Sequence, residues 1–215
     1  MRDADWIDST RQSYDTVADN YTDFTRAAMD RSPVARSFLD VFSTLVGMQG
    51  RVLDAGCGPG WVTAYLHDNG LEISGIDLSP RLIEIARTNH PEISFDVGSI
   101  TELPVASHSL AGITCWWVLH HVPDSSLGTV MAQFSEKLEP GGYLLVGGHL
   151  GASTHTKTEG YGGLPMNVHM AKRPLEIFAE LIESHGFVID LQATLDPASK
   201  APSLILLAHK ALQTT

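Results

Sequence analysis

The 215-residue chain carries 14 Lys and Arg against 25 Asp and Glu, a formal net charge of −11. Hydrophobic residues make up 43% and charged residues 18%, which fits one globular domain with a sizeable core and excludes a disordered chain. The acidic balance argues against a nucleic acid or an anionic membrane surface as partner, because phosphate binding needs a basic face. Cys57 and Cys115 stand far apart in no C-x-x-C pattern, so neither a disulfide framework nor a metal site is expected. The acidic start Met1-Arg2-Asp3-Ala4-Asp5 has no apolar stretch behind it, and no apolar run approaches the roughly 20 residues that span a bilayer. These features predict a cytoplasmic protein away from the membrane.

The first fifty residues read as helical. Tyr14, Val17, Ala18 and Tyr21 recur at i, i+3, i+4, i+7. Ser32-Pro33 reads as N-cap and first position of a second helix, with an apolar stripe of Val34, Phe38, Val41, Phe42 and Leu45 closed by Gly47. From residue 51 strand and helix alternate. Strands are predicted at Arg51–Ala55, Leu71–Ile76, Ile93–Val97, Leu110–Val118 and Tyr143–Gly147. Between them run helices carrying Val62, Tyr65 and Leu66, then Leu82, Ile83, Ile85 and Ala86, then Leu127, Val130, Met131, Phe134 and Leu138. Residues 149–173 are long, rich in Gly, His and Thr, and without a clear period, as in a functional loop. Pro174 opens a helix through Leu175, Phe178, Leu181 and Ile182; Phe187–Leu191 and Leu204–Ala208 are the last strands. The alternation predicts an α/β fold: a doubly wound, mostly parallel seven-stranded sheet with a C-terminal antiparallel hairpin and an N-terminal helical cap.

The sharpest motif is Asp54-Ala55-Gly56-Cys57-Gly58-Pro59-Gly60, set between the first strand and its helix. Glycines there let the chain turn tightly and let a ligand approach the backbone. Asp77 ends the second strand in Gly75-Ile76-Asp77-Leu78-Ser79, where a carboxylate can accept both ribose hydroxyls of a nucleoside. A dinucleotide pattern would put its third glycine where Trp61 stands, and no Lys-Ser or Lys-Thr follows for a P-loop.

The glycine motif resembles the first motif of class I S-adenosylmethionine-dependent methyltransferases, and Gly75–Ser79 resembles their second-strand motif. Leu119-His120-His121-Val122-Pro123, Leu138-Glu139-Pro140-Gly141-Gly142 and Tyr14-Asp15-Thr16-Val17-Ala18 resemble blocks of the branch related to ubiquinone and menaquinone biosynthesis methyltransferases. The resemblance implies a Rossmann-like single domain: a helical cap (1–50), a cofactor-binding core (51–148), an acceptor loop (149–173), and a final helix and hairpin (174–215). It implies S-adenosylmethionine as cofactor and in-line methyl transfer to a small-molecule acceptor.

By the same likeness Asp54, Gly56, Cys57, Gly58 and Gly60 would line the methionine and ribose part of the cofactor. Asp77 would hold the ribose, with Leu78 against the adenine. Ser99 stands where the family often has an acid bonding the adenine amino group; Asp96 is the alternative, and the Ile100 N–H could meet the ring. Trp116 and Trp117 would sit near the methionine. His121 is the candidate general base, since imidazole titrates near neutral pH. Tyr14, Tyr21, His149, Tyr161 and His169 are candidate acceptor contacts, with His155 beside them. Two other readings share the motifs: an NAD(P)-linked oxidoreductase, against which Trp61 counts, and a non-enzymatic nucleoside-binding module.

Overall fold

The computed structural model describes residues 3–48 and 50–212, the side chains of 3–5 and 28–31 excepted. Met1 and Arg2, part of the acidic start read above, lie outside them. Two helices come first, α1 (Asp3–Arg31) and α2 (Pro33–Val46). Alternation follows: β1 (Val52–Ala55), α3 (Trp61–Asp68), β2 (Ile73–Asp77), α4 (Pro80–Asn89), β3 (Ser94–Val97) and β4 (Leu110–Trp116). A single 3-10 turn, Leu119–His121, leads into α5 (Asp124–Lys137), β5 (Leu138–His149), β6 (Ser153–Gly160) and β7 (Leu164–Lys172). The chain closes with α6 (Leu175–Glu183), β8 (Phe187–Leu195) and β9 (Ser203–Lys210).

The seven-stranded sheet has the order β3-β2-β1-β4-β5-β9-β8, with β9 antiparallel to both neighbours and the rest of the ladder parallel. The Rossmann-like expectation holds. Strand order reverses between β1 and β4, which opens a crevice at their carboxyl ends, where ligands bind in such sheets. Period-two alternation divides the core. Leu53, Ile113, Cys115, Leu144, Val146, Leu204 and Leu206 face α5 and α6, whereas Val52, Leu145, Ile205 and Leu207 face α2 and α3. Phe134, fully buried in the first layer, would cost about 3–5 kcal/mol if cut to Ala.

Two expectations are corrected. The buried face of α2 is Ala35, Leu39, Phe42 and Val46, while Val34, Val41 and Leu45 are 54%, 37% and 38% exposed. Its phase is set by Phe42, whose ring occupies the space over Gly112 of β4, where an added Cβ would lie 2.8 Å from Cζ. Ser32 precedes Pro33 as expected, but its side chain makes no capping hydrogen bond.

Residues 149–173 are not an irregular loop. β6 and β7 form an antiparallel hairpin, registered from Ser153 opposite Lys172 to Gly160 opposite Leu164. Its turn is Tyr161-Gly162-Gly163, all at positive φ (46°, 93° and 79°). Met166 and Val168 are buried on α1 beside Leu164, a period-two signal carried by β7 alone because β6 is polar and largely exposed.

The hairpin and α1 form one cover. Ser9 donates to the Asn167 carbonyl, the Asn167 N–H donates to Ser13 Oγ at 2.8 Å, and Asn20 Nδ2 donates to the Tyr161 carbonyl at 2.7 Å. At its other flank α1 is tied to the start of α4, where Asp15 accepts from Ser79 Oγ at 2.5 Å and Arg81 pairs with Asp19 at 3.1 Å. Among the described residues no helix is long and apolar enough to cross a membrane.

Candidate active site

The turn after β1 places backbone where a side chain would not fit. Gly56, Gly58 and Gly60 have φ of 87°, 53° and 88°. A Cβ on Gly56 would lie 2.4 Å from Val118 Cγ2, so only glycine lets this turn pass beneath β4's end. Gly60 serves packing instead: it lines neither cavity of the crevice, and a Cβ there would press on Phe95 and Ala86. Cys57 is buried against Ile83, Ala86 and Phe95, and burial pushes its thiol up, which leaves it a packing residue on the wall.

Two carboxylates organise the loop. Asp54 is 1% exposed and accepts from Thr63 Oγ1 at 2.6 Å and Thr114 Oγ1 at 2.8 Å. Burial raises its pKa to about 6 despite these donors. These bonds tie β1 to α3 and β4, and Asp54 stands in the lining of the larger cavity. Asp77 accepts the Gly58 N–H on Oδ2 and the Ser79 N–H on Oδ1, each at 2.9 Å. Each oxygen keeps a lone pair for a further donor, the capacity that two ribose hydroxyls require.

Two cavities meet at this loop. A narrow one of about 60 Å³ runs along Asp77, Leu78, Gly98 and Ile100 under Trp6 and Thr10 of α1. Thr10 Oγ1 is buried there without a partner. The larger, about 700 Å³, is walled by Trp116, Trp117, His120, His149, Lys157 and Tyr161. Tyr14, Tyr21, Gly56, both tryptophans and His121 line both. Trp117 takes φ 56°, rare for a side-chain-bearing residue, and its ring lies where a Cβ on Gly147 would be 2.7 Å away. Of the expected contacts, Ser99 lines neither cavity; its hydroxyl is spent on Thr101 Oγ1 at 2.7 Å. Asp96 points elsewhere, pairing with Arg87 at 3.1 Å.

His121 lies where the cavities join. Its Nδ1 is 3.0 Å from the His169 carbonyl, which can only accept, so Nδ1 carries the proton. Nε2 is then an acceptor and takes the Tyr14 O–H at 2.7 Å. Burial lowers the His121 pKa to about 4, keeping the ring neutral. Burial raises the Tyr14 phenol, helped by Tyr21 and Tyr161. Tyr14, Tyr21 and Tyr161 pack edge to face, with centroids 5.0 Å and 4.9 Å apart in the two pairs. His169 contributes its carbonyl, while its ring lines neither cavity, a correction to its expected role.

Sequence reasoning missed Arg173 and Lys157. Arg173 is 5% exposed and donates to the carbonyls of Leu119 at 2.9 Å and Val122 at 2.6 Å, so it clamps the turn bearing His120 and His121. Nothing local marks it, since its partners lie some fifty residues away. Lys157 holds its Nζ 4.0 Å over the Tyr161 ring. Trp61 donates Nε1 to the Thr22 carbonyl at 3.3 Å and stands on the wall of the larger cavity. Among the described residues no three His, Cys, Asp or Glu side chains are grouped to hold a metal ion.

Residues 52–142, from β1 into the start of β5, match the family model of a methyltransferase domain. Over this stretch the chain is similar to methyltransferase domains. The matched stretch contains the glycine loop, Asp77, both tryptophans and the histidine pair. A ubiquinone biosynthesis O-methyltransferase of Xanthomonas oryzae pv. oryzae is 32% identical over 114 residues, 50% of this chain and 47% of that protein. The chain spans about half the length of the curated relatives it matches. Among solved structures, a 1,6-didemethyltoxoflavin-N1-methyltransferase from Burkholderia thailandensis aligns with a TM-score of 0.76 at 19% identity, covering 98% of this chain and 91% of that one. An S-adenosylmethionine-dependent methyltransferase from Methanosarcina mazei aligns at 0.68 with 18% identity, covering 76% of this chain and 93% of that one. At these identities the structures speak for the fold alone.

Proposed function

We propose that the protein transfers a methyl group from S-adenosylmethionine to a small-molecule acceptor. One observation carries the reading: the Gly56–Pro59 turn lines a cavity of about 700 Å³ that adjoins the narrow cleft holding the Asp77 carboxylate. That volume falls within the usual range for small ligands, roughly 300–1,000 Å³. The residues fit the cofactor. Gly56 and Gly58 present bare backbone to the larger cavity, Asp77 keeps acceptor capacity for hydroxyls, and Thr10 Oγ1 is a buried polar atom without a partner at the adenine end. Leu78, Gly98 and Ile100 supply apolar and backbone surface there.

When bound, the cofactor supplies a methyl group made electrophilic by its sulfonium. The chain's own residues do the rest. Trp116 and Trp117 wall the junction of the two cavities and hold the reacting groups to one line of approach. The cover of α1 and the β6–β7 hairpin excludes water. Tyr14 and His121 form a proton path. A proton leaving the acceptor passes to the Tyr14 oxygen as the phenolic proton passes to His121 Nε2. With a pKa of about 4, His121 accepts a proton readily available to it but holds it weakly, which suits an acceptor group that ionises easily.

The acceptor in this reading is a metabolite. The net charge of −11 favours a metabolite over RNA or DNA. A cytoplasmic setting belongs to the same proposal; both cysteines are free and buried. Isothermal titration with S-adenosylhomocysteine, with NAD⁺ as control, is the test. Binding of the first alone is expected; preference for NAD⁺ would overturn the reading in favour of an oxidoreductase.

A further inference from the structure

Among the described residues, Lys157 is the only lysine or arginine on the wall of the larger cavity. It makes no ion pair with a described carboxylate. Its ammonium lies over the Tyr161 ring at 4.0 Å. Gly160 makes this possible, because a Cβ there would come within 2.9 Å of Nζ. The two acidic residues of the same wall do not serve it. Asp54 is taken by two threonines, and Asp196 stands at the exposed rim.

Facing the same cavity, His120 is 5% exposed with Nδ1 buried and unpartnered, and the His149 Nδ1 is likewise buried and unpartnered. Their rings are 4.8 Å apart. A buried imidazole nitrogen without a partner costs free energy that a ligand would recover. The remaining wall is aromatic: Tyr14, Tyr21, Phe24, Trp116, Trp117 and Tyr161. Flat apolar walls suit a flat ring, and one cation beside two spare imidazole nitrogens suits a negative charge upon it.

We propose that Lys157, with His120 and His149, forms the subsite for an acidic group of the acceptor, which is a planar aromatic or heteroaromatic anion. Burial weakens the Lys157 charge and holds both imidazoles neutral, so an arriving anion is the missing partner of this corner. The acceptor's negative charge also relieves the weak base His121 of part of its task. The subsite rests on the methyl-transfer reading only in calling its ligand the acceptor. A carboxylate could also come from the cofactor's methionine end, since the Gly56–Gly58 turn lines the same cavity; titration with and without S-adenosylhomocysteine distinguishes the two sources.

The test uses the full chain and a matched pair of probes, 2-naphthoate and the neutral 2-naphthamide, titrated calorimetrically with and without S-adenosylhomocysteine. The wild type should bind naphthoate at least about tenfold more tightly than naphthamide, Lys157→Arg should keep that preference, and Lys157→Met should erase it. Affinity for S-adenosylhomocysteine should stay within about twofold throughout. Equal affinities in the wild type, including no measurable binding of either probe, overturn the proposal. So does a preference that survives Lys157→Met. Loss of S-adenosylhomocysteine binding in Lys157→Met assigns the lysine to the cofactor and overturns it as well. Failure of the wild type to bind S-adenosylhomocysteine sinks the methyl-transfer reading alone, since the naphthoate preference is read on the ligand-free protein.

Discussion

Replacing Arg173 by Met tests whether the histidine turn is held from a distance. The change keeps the apolar stem and removes the guanidinium, so the packing loss is small. Two carbonyl oxygens, of Leu119 and Val122, then lose their donor in a buried setting. Leaving such a group unsatisfied costs about 1–3 kcal/mol, so the pair is worth about 2–6 kcal/mol. The third partner, Asp124, has a side chain 85% exposed and adds little. The expected loss is a large share of a typical total of about 5–15 kcal/mol. Urea unfolding measures it. Arg173→Met should also lower turnover at least about tenfold by freeing His121, while the affinity for S-adenosylhomocysteine falls less, because Arg173 itself bonds neither Asp77 nor the glycine loop. Arg173→Lys should recover part of both. A stability loss below about 1 kcal/mol would refute the reasoning, since it would mean that the two carbonyls find other donors.

Other expectations follow from the same geometry. Tyr14→Phe removes the O–H on His121 Nε2 and keeps the ring; turnover should fall about 10- to 100-fold with cofactor affinity unchanged, and an unaltered rate would remove Tyr14 from the proton path. Asp77→Asn must turn an NH₂ toward one of two backbone N–H groups, so S-adenosylhomocysteine should bind at least about tenfold more weakly, and unchanged affinity would sink the site. Stability should fall as pH drops from about 6.5 toward 4. Burial lowers the imidazole pKa values of His90, His120, His121, His149 and His169, so over this window the unfolded chain binds protons that the fold refuses. Asp54, raised to about 6, and Asp77, also raised, oppose this, because the fold takes up their protons first. The imidazoles outnumber the carboxyls, so a flat or rising stability on acidification would contradict the balance.

Much of this fold is legible in the residues because its signals are local. Glycines at positive φ, Ser79-Pro80 opening α4, and apolar runs at β1 and β4 each follow from short stretches of chain. The Ser79 cap is seen, with Oγ accepting the Leu82 N–H at 3.1 Å. What stayed hidden depends on distant partners. The face of α2 follows from a notch at Gly112, seventy residues downstream of Phe42. The β6–β7 hairpin is masked because β6 presents polar side chains to solvent while β7 alone carries the alternation of Leu164, Met166 and Val168. The structural task of Asp54 shows only when Thr63 and Thr114, distant in the sequence, are seen on its two oxygens. Ser99, expected at the adenine, lines neither cavity, and its hydroxyl meets Thr101 two residues on, a local bond that spacing does not reveal.

The tautomer of His121 ties these parts together. The His169 carbonyl can be met only by a protonated Nδ1, so β7 decides that Nε2 faces Tyr14 as an acceptor. β7 is in turn fixed to α1 through Asn167, and its end is fixed to the histidine turn through Arg173. The hydrogen bonds that close the cover therefore also set which nitrogen can take a proton. If α1 and the hairpin lift, the His169 carbonyl leaves Nδ1, and the ring is free to exchange its proton with water. A closed cover with a neutral His121 of pKa about 4 supports only an acceptor that yields its proton cheaply or arrives without one. A cationic corner at Lys157 supplies the means to bring in such an acceptor already ionised. The weakness of the base and the charge of the cavity wall thus point to the same chemistry from two independent sides of the site.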